Sequence, residues 1–154
     1  EASPLNFVGV FRNENKEMIQ SLVETLQLSA VQLHGDETES YIKKLRSLIP
    51  GCQIWKAVAV GDALPDLNFT ADRLLLDSKV GNQSGGTGQS FDWSLLADLP
   101  KEKLMLAGGI NPENIAEALK VGALGLDLNS GVESAPGIKD ADKIQRAFAA
   151  LRAY

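Results

Sequence analysis

Short apolar runs alternate with amphipathic segments along the chain, and this alternation limits the possible folds more than any other sequence feature. Each apolar run has the length of a strand, and most are followed by apolar residues at helical spacing. The runs recur roughly every 20–30 residues, which is typical of strand–helix units that build a parallel sheet. The predicted strands span residues 6–11, 30–33, 53–60, 74–77, 103–107 and 124–128.

Two architectures can be built from strand–helix units of this kind. One is a doubly wound open sheet, which would be complete in a chain of 154 residues. The other is a β/α barrel, which needs eight units and would be incomplete here. The periodicity does not separate the two, and length alone favours the open sheet.

The composition excludes several classes of protein. The net charge is −5 and Lys and Arg do not cluster, so a nucleic-acid-binding surface is not expected. The apolar runs are shorter than the ~20 residues of a membrane-spanning helix. The single cysteine, Cys52, cannot form an internal disulfide, and with a single histidine it cannot build a His/Cys metal cluster. We therefore predict a cytoplasmic protein.

Polar residues predict where several helices begin. Either Asp36 or Thr38 can cap the helix after the second strand, and Ser90 can cap a short helix that follows it. Asn111, which precedes a proline, predicts the start of the next helix. Asp140 predicts the start of the last helix, whose inward side chains are expected to be Ile144, Ala147, Phe148 and Leu151.

The fourth predicted strand is a leucine run that ends in a carboxylate. Leu75 and Asp77 share one face because side chains alternate along a strand. A carboxylate in this place serves either the structure or the chemistry. The loop that follows contains Gly85 and Gly86 but lacks the lysine of a Walker loop. We interpret this loop as a lid over a site, with a flexible connector as the alternative.

Polar residues and glycines gather at the carboxyl ends of the predicted strands. In a parallel α/β fold these ends lie on one side, where such folds bind ligands. Two successive loops near the end of the chain carry glycines that let the backbone approach a ligand closely, which favours a phosphate site over simple turns. The residues gathered at strand ends are Arg12, Asn13, His34, Gly35, Asp77, Gly108, Gly109, Asn129, Ser130 and Gly131.

Three residues have two possible roles each, and a fourth is excluded from the site. Asp127 alternates with apolar neighbours, so it either bonds a ligand hydroxyl or anchors a loop. His34 is either a structural residue or a site residue. Lys56 either neutralises a buried carboxylate or touches an anion. Cys52 precedes its strand, so it belongs at the opposite end from the site and is rejected as a nucleophile or base.

Several short motifs follow one another along the chain at characteristic spacings. They are Val31-Gln32-Leu33-His34-Gly35, Leu76-Asp77 with Gly85-Gly86-Thr87-Gly88, Phe91-Asp92-Trp93, Ala107-Gly108-Gly109-Ile110-Asn111-Pro112, Asp127-Leu128-Asn129-Ser130-Gly131 and Pro136-Gly137-Ile138-Lys139-Asp140. Together these motifs resemble phosphoribosylanthranilate isomerase, in the order of that family and through essentially the whole chain. The end of the chain, residues 151–154, is similar to the form that some bacteria fuse behind indole-glycerol-phosphate synthase.

The resemblance implies a (βα)8 TIM barrel and an Amadori rearrangement in tryptophan biosynthesis. N-(5-phosphoribosyl)anthranilate would become the 1-deoxyribulose 5-phosphate product without a cofactor or metal. Asp77 matches the family's general acid, and Gly108-Gly109 with residues 129–131 match its phosphate-binding loops. A carboxyl group donates a proton near neutral pH only when its pKa is raised, which burial achieves. The remaining expected substrate contacts are His34, Asp127, Gly85 and Gly86.

The chain also departs from the family pattern. The family's general base is a cysteine in a Lys-Ile-Cys-Gly-like motif at the end of the first strand, and an arginine after the second strand holds the anthranilate carboxylate. Neither motif is found, so we expect residues 1–154 to form one partial barrel that begins at the third strand. Open sheet edges, self-association and near-inactivity of this chain alone are then expected, with completion by, or fusion to, an amino-terminal segment.

Two alternatives to the isomerase remain open. The chain could be a non-catalytic barrel remnant that binds a sugar phosphate or a partner chain. It could also be a complete open-sheet domain that binds a nucleotide or a flavin.

Overall fold

The computed structural model describes residues 5–80, 83–84 and 90–154. The strands are β1 Val8–Phe11, β2 Ala30–Leu33, β3 Gln53–Val60, β4 Arg73–Val80, β5 Gln83–Ser84, β6 Leu104–Leu106, β7 Gly125–Leu126, β8 Glu133–Ala135 and β9 Ile138–Lys139. The helices are α1 Lys16–Leu26, α2 Glu39–Leu48, α3 Ile115–Lys120 and α4 Ala141–Ala153, with short 3-10 turns at Trp93–Leu96 and Ser130–Val132.

These elements form two compact units. The first unit contains residues 5–57 and 67–74, and the second contains residues 58–66 and the described residues from 75 onward. The chain therefore passes between the units three times, and β3 and β4 each contribute residues to both.

The first unit is a parallel sheet covered by two helices. Strand β1 pairs with β2, and β2 pairs with β3, all in parallel register. Parallel neighbours require crossover connections, which α1 and α2 supply. Asp72, just before β4, donates its backbone N–H to the carbonyl of Ile54 in β3 at 2.8 Å. The buried core consists of Ile19, Val31, Leu33, Ile42, Leu45, Ile49, Cys52 and Ile54.

Side-chain caps set the start of both helices in the first unit. The Asn15 side chain accepts from the N–H groups of Glu17 and Met18 at the start of α1. Thr38 accepts from the N–H of Tyr41 at the start of α2, so Thr38, and not Asp36, is the cap. Each cap satisfies backbone donors that have no partner within the helix.

The second unit continues the parallel arrangement. Ala107, which follows β6, donates its N–H to the carbonyl of Leu76 in β4 at 2.8 Å, and β6 pairs in parallel with β7. Two antiparallel pairs, β4 with β5 and β8 with β9, are local additions. Fully buried side chains in this unit include Leu75, Leu76, Leu96, Leu106, Ile110 and Ile115.

Of two predicted helix starts in the second unit, Ser90 is wrong and Asn111 is confirmed. The 3-10 turn is capped by Asp92, whose carboxylate accepts from the N–H of Ser94, and not by Ser90. Asn111 makes the predicted cap: its side chain accepts from the N–H groups of Glu113 and Asn114, and its carbonyl accepts from the N–H of Ile115. Residues 112–114 form a turn that leads into α3, whose regular part begins at Ile115.

The last helix begins as predicted at Asp140, whose carboxylate accepts from the N–H of Lys143. Its predicted inward face is only partly correct, because Ala147 is buried whereas Phe148 is 54% exposed. Phe148 lines an open apolar groove of about 650 Å³ together with Leu124, Leu126 and Leu151. Among the described helices, none is both long and apolar enough to cross a membrane.

Candidate active site

Asp77 and Gly108 lie against each other in the second unit. Asp77 is half-buried in β4, and Gly108 follows β6 with a φ of +80°. A Cβ atom on Gly108 would lie 2.4 Å from Asp77 Oδ1 and 2.3 Å from Ser78 Oγ. Only glycine satisfies both the backbone conformation and the space. The loop after β6 is therefore packed directly beside the carboxylate.

The loop after β7 meets the loop after β6 at Gly131. A Cβ atom on Gly131 would lie 1.8 Å from the carbonyl oxygen of Ile110, which is far inside van der Waals contact. The two glycine-containing loops are thus in contact at backbone level. Asp77 lies within β4, which continues to Val80 and does not end at Asp77 as predicted, while Gly108 and Gly131 lie in the loops after β6 and β7 of the same unit.

Two asparagines hold the loop after β6 in shape. The carbonyl of Gly109 accepts from the side-chain amides of Asn111 at 3.3 Å and Asn114 at 2.8 Å. Gly109 has a φ of +68°, a left-handed conformation that favours glycine. The role of Asn114 was not predicted from the sequence. The spacing of two asparagines around Pro112 is the signal that could have found it.

Lys139 holds the loop after β7. Its ammonium group donates to the backbone oxygen of Asn129 at 3.0 Å, to Asn129 Oδ1 at 2.5 Å and to Glu133 Oε1 at 2.7 Å. The hydrogen bond from Lys139, with the N–H of Gly137, lowers the pKa of Glu133 below its usual value. Sequence reasoning placed Lys139 in a motif but assigned it no role.

Asp127 and Ser130 lie beside these loops. Asp127 is half-buried and directly follows β7, and its N–H donates to the carbonyl of Leu106 at 2.8 Å. Ser130 opens the 3-10 turn that follows Asn129. Gly85 and Gly86, the other predicted substrate contacts in this half of the chain, lie outside the described residues.

In the first unit, His34 lies at the carboxyl end of β2. It is half-buried, and its N–H donates to the carbonyl of Phe11 at 2.8 Å, which joins the ends of β2 and β1. His34 is therefore at a strand end, as predicted.

A buried ion pair lies next to His34. Lys56 Nζ is 2.9 Å from Glu37 Oε2, and the two side chains are only 4% and 1% exposed. Burial raises the pKa of Glu37, but hydrogen bonds from the Asn13 N–H and from Lys56 outweigh it, so that the pKa lies below its usual value. Of the two roles considered for Lys56, neutralising a buried carboxylate is confirmed.

Cys52 lies just before β3 and is 7% exposed. Burial raises the pKa of its thiol above the usual value, which disfavours the reactive thiolate. Its position at the amino end of the strand agrees with the prediction that it is not a site residue. Across the described parts of the chain, no group of three His, Cys, Asp or Glu side chains could hold a metal ion.

The family follows from a sequence comparison. The profile described as N-(5'phosphoribosyl)anthranilate (PRA) isomerase matches residues 1–150. The chain belongs to this isomerase family. The resemblance inferred from the motifs is therefore confirmed, and the match over nearly the whole chain argues against a nucleotide- or flavin-binding open sheet.

Curated relatives of this isomerase-family chain are considerably longer than it is. The tryptophan biosynthesis protein TrpCF of Vibrio parahaemolyticus is 54% identical over 154 residues, which are 99% of this chain and 32% of the relative. TrpCF of Yersinia pestis is 51% identical over the same shares. The chain thus spans about a third of the length of the curated relatives it matches, which agrees with the expected fusion to a further segment.

Solved isomerase structures share the fold. Phosphoribosyl anthranilate isomerase from Thermus thermophilus is 37% identical with a TM-score of 0.79, over 95% of this chain and 72% of that one. A second isomerase, in complex with reduced 1-(o-carboxyphenylamino)-1-deoxyribulose 5-phosphate, is 32% identical with a TM-score of 0.73, over 96% and 71%. The predicted α/β fold with parallel strands is confirmed.

Proposed function

We propose that this chain carries the general acid and the phosphate site of a phosphoribosylanthranilate isomerase. The observation that carries the proposal is the packing of Gly108 against Asp77, with Gly131 packed in turn against Ile110. A phosphate bound by the backbone of these two loops would hold the attached sugar beside the carboxylate. His34, Asp127, Gly85 and Gly86 are proposed as further contacts to the substrate.

The reaction needs only proton transfers. Asp77 would protonate the ring oxygen of the furanose, and the bond from that oxygen to C1 would break to give an iminium ion. A base would then remove the proton from C2, and the resulting enol would take up a proton at C1 while its C2 hydroxyl loses a proton to give the ketone. The net change moves the C2 hydrogen to C1 and the C2 hydroxyl proton to the former ring oxygen, so acid and base catalysis with correct placement accounts for the chemistry.

The base is proposed to come from outside residues 1–154. The family's base is a cysteine at the carboxyl end of a strand, whereas Cys52 lies at the amino end of β3. We infer that the six strand–helix units correspond to the last six of a (βα)8 barrel. Coverage of 72% and 71% of the solved isomerase chains supports this correspondence. The 154-residue chain assayed by itself is therefore expected to be close to inactive.

Each unit carries an exposed apolar edge, which supports a role for additional chain. In the first unit, Phe7, just before β1, is 60% exposed and Val10, within β1, is 63% exposed. In the second, Leu124 is 52% exposed beside β7. Such edges associate unless they are covered. We propose that the amino-terminal units of the longer protein cover them, and that without these units the chain self-associates.

The test uses this chain extended at its amino terminus by the first two strand–helix units of a relative. The extended chain should consume phosphoribosylanthranilate, measured as loss of its fluorescence, and Asp77→Asn should lower kcat by about 10²–10⁴-fold. Near-normal turnover by Asp77→Asn would remove Asp77 as the acid. Phosphate binding without any turnover by the extended chain would favour a non-catalytic sugar-phosphate-binding remnant. The cytoplasmic location stays a prediction.

A further inference from the structure

We propose that the buried Glu37–Lys56 pair is a positioning device that fixes His34 at the carboxyl end of β2. The proposal rests on the proposed function in one respect, namely that His34 contacts the substrate. Neither Glu37 nor Lys56 is proposed to touch the substrate, so both are positioning residues.

Glu37 and Lys56 form hydrogen bonds with backbone groups on both sides of His34. Lys56 Nζ donates to the carbonyl of Leu33, the residue before His34, at 3.5 Å, and to the carbonyl of Gly35, the residue after it, at 2.6 Å. The N–H of Gly35 donates to Glu37 Oε2 at 2.8 Å. With the bond from the His34 N–H to Phe11, each of the two peptide groups that flank His34 makes at least one hydrogen bond.

The same carboxylate also ties in the neighbouring loop. The N–H of Asn13, which follows β1, donates to Glu37 Oε1 at 2.7 Å. Asn13 has a φ of +53°, and its side-chain oxygen accepts from the N–H of Asp36 at 2.7 Å. A Cβ atom on Gly35 would lie 2.2 Å from that oxygen. One ion pair thus links the chain after β1 and after β2 to Lys56 in the middle of β3.

Stability alone is a poor explanation for this pair. Two charges lose their hydration on burial, and replacing such a pair by apolar side chains of similar volume is often neutral or stabilising. What apolar side chains cannot supply are directed hydrogen bonds to chosen backbone groups. The contacts of Glu37 and Lys56 are of this kind, and they converge on the turn that carries His34.

The first experiment reads the position of His34 without any need for activity. His34 is the only histidine among the 154 residues, so its ring gives one set of NMR signals. In the double variant Glu37→Leu/Lys56→Met, the ring signals of His34 and the amide signal of Gly35 should shift, and the Gly35 amide should exchange faster. Methyl signals of Ile42 and Leu45 in the core should keep their wild-type positions. Unchanged His34 and Gly35 signals in the folded double variant would overturn the proposal.

Glu37→Gln provides a second variant with the shape of the side chain retained. It should shift the His34 and Gly35 signals in the same direction as the double variant does. The control is the exposed pair Glu117–Lys120, whose side chains are 65% and 61% exposed. The variant Glu117→Gln/Lys120→Met should leave the His34 signals in place, and a shift of equal size in this control would also count against the proposal.

The second experiment measures kcat/KM in the extended, active chain. Glu37→Leu/Lys56→Met should lower kcat/KM by about 10–100-fold, because a small misplacement of a substrate-contacting group is costly. In a His34→Ala background the same double substitution should lower kcat/KM by only about threefold or less, because the effects of substitutions at coupled residues are not additive. Equal losses in both backgrounds would mean a general structural role and would overturn the proposal.

Failure of the proposed function has a different signature. If His34→Ala alone leaves kcat/KM unchanged, the assignment of His34 as a substrate contact fails. The NMR comparison then still decides whether the pair positions the His34 turn.

Discussion

The two units hold the loops after their strands by opposite means. In the first unit, a buried ion pair holds the loop by hydrogen bonds to the backbone around His34. In the second unit, the loops are held by close backbone packing at Gly108 and Gly131, where there is no room for a Cβ atom. The unit with the ion pair should lose most stability when one partner of the pair is removed. The unit with the glycine contacts should lose stability when a side chain is added at such a glycine.

The largest expected effect is the loss of one partner of the buried pair. Glu37→Leu leaves Lys56 as an unpaired buried charge, which typically costs about 3–5 kcal/mol in free energy of unfolding. Adding Lys56→Met to Glu37→Leu should recover most of this loss. Urea unfolding of the 154-residue chain measures both values. Trp55 lies in the first unit and Trp93 in the second, so variants with one tryptophan report on each unit. If Glu37→Leu/Lys56→Met is as unstable as Glu37→Leu alone, an unpaired Lys56 charge is not the cause of the loss.

The next effect concerns the glycine contact of the second unit. Gly131→Ala would force a Cβ atom to 1.8 Å from the Ile110 carbonyl, so the backbone must shift. We expect the free energy of unfolding to fall by roughly 1–3 kcal/mol, which is typical of overpacking. Urea unfolding followed by Trp93 fluorescence measures this change.

Gly61→Ala is the matched control for Gly131→Ala. A Cβ atom at Gly61 would meet no atom within 4 Å. The change should be neutral or slightly stabilising, because alanine restricts the unfolded chain. Similar losses from both variants would remove the contact with Ile110 as the cause.

The smallest effect is the contribution of Glu37 to the pH dependence of stability. The pKa of Glu37 in the folded chain lies below its usual value of 4.5. The folded state therefore binds fewer protons than the unfolded state as the pH falls below that usual value. The stability from this carboxylate is fully present above about pH 4.5 and is lost as the pH falls through the folded pKa.

The measurement is the difference between the wild type and Glu37→Leu/Lys56→Met. Because other carboxylates also titrate, only the difference in unfolding free energy between the two chains reports on Glu37. This difference should become less favourable to the wild type in acid and stay constant between pH 6 and 8, where the carboxylate is ionised in both states. A difference that grows in favour of the wild type as the pH falls would contradict the lowered pKa.

Local patterns along the chain were enough to predict most of the fold. Alternation of apolar runs located the strands, and caps such as Thr38 and Asp140 located helix starts. Asn111 also caps the turn that leads into α3. Ser90 was wrong because Asp92, which directly precedes the 3-10 turn, caps it instead. The prediction that Phe148 faces inward was wrong, because helical spacing identifies an apolar face but does not tell whether another element covers that face.

The candidate site was predictable to the extent that it depends on strand ends. The neighbourhood of Asp77 and Gly108 follows from parallel strands whose carboxyl ends share one side. The partner of Lys56 was not predictable, because the contact joins a strand to a loop that belongs to another strand–helix unit. The hydrogen bonds from Lys139 to Asn129 were not predicted, because they depend on how the β8–β9 hairpin folds back on the loop after β7.

The interleaved path of the chain has a consequence for experiments that cut it. Residues 67–74 of the first unit follow residues 58–66 of the second in sequence. No single proteolytic cleavage can therefore separate the two units, because a fragment that contains all of one unit also contains a segment of the other. Protease nicking between residues 61 and 68 should yield two pieces that remain associated under native conditions. Shortening the gene from one end likewise yields a unit only with a segment of the other attached, and a chain in which the two segments of one unit are rejoined would be needed to isolate it.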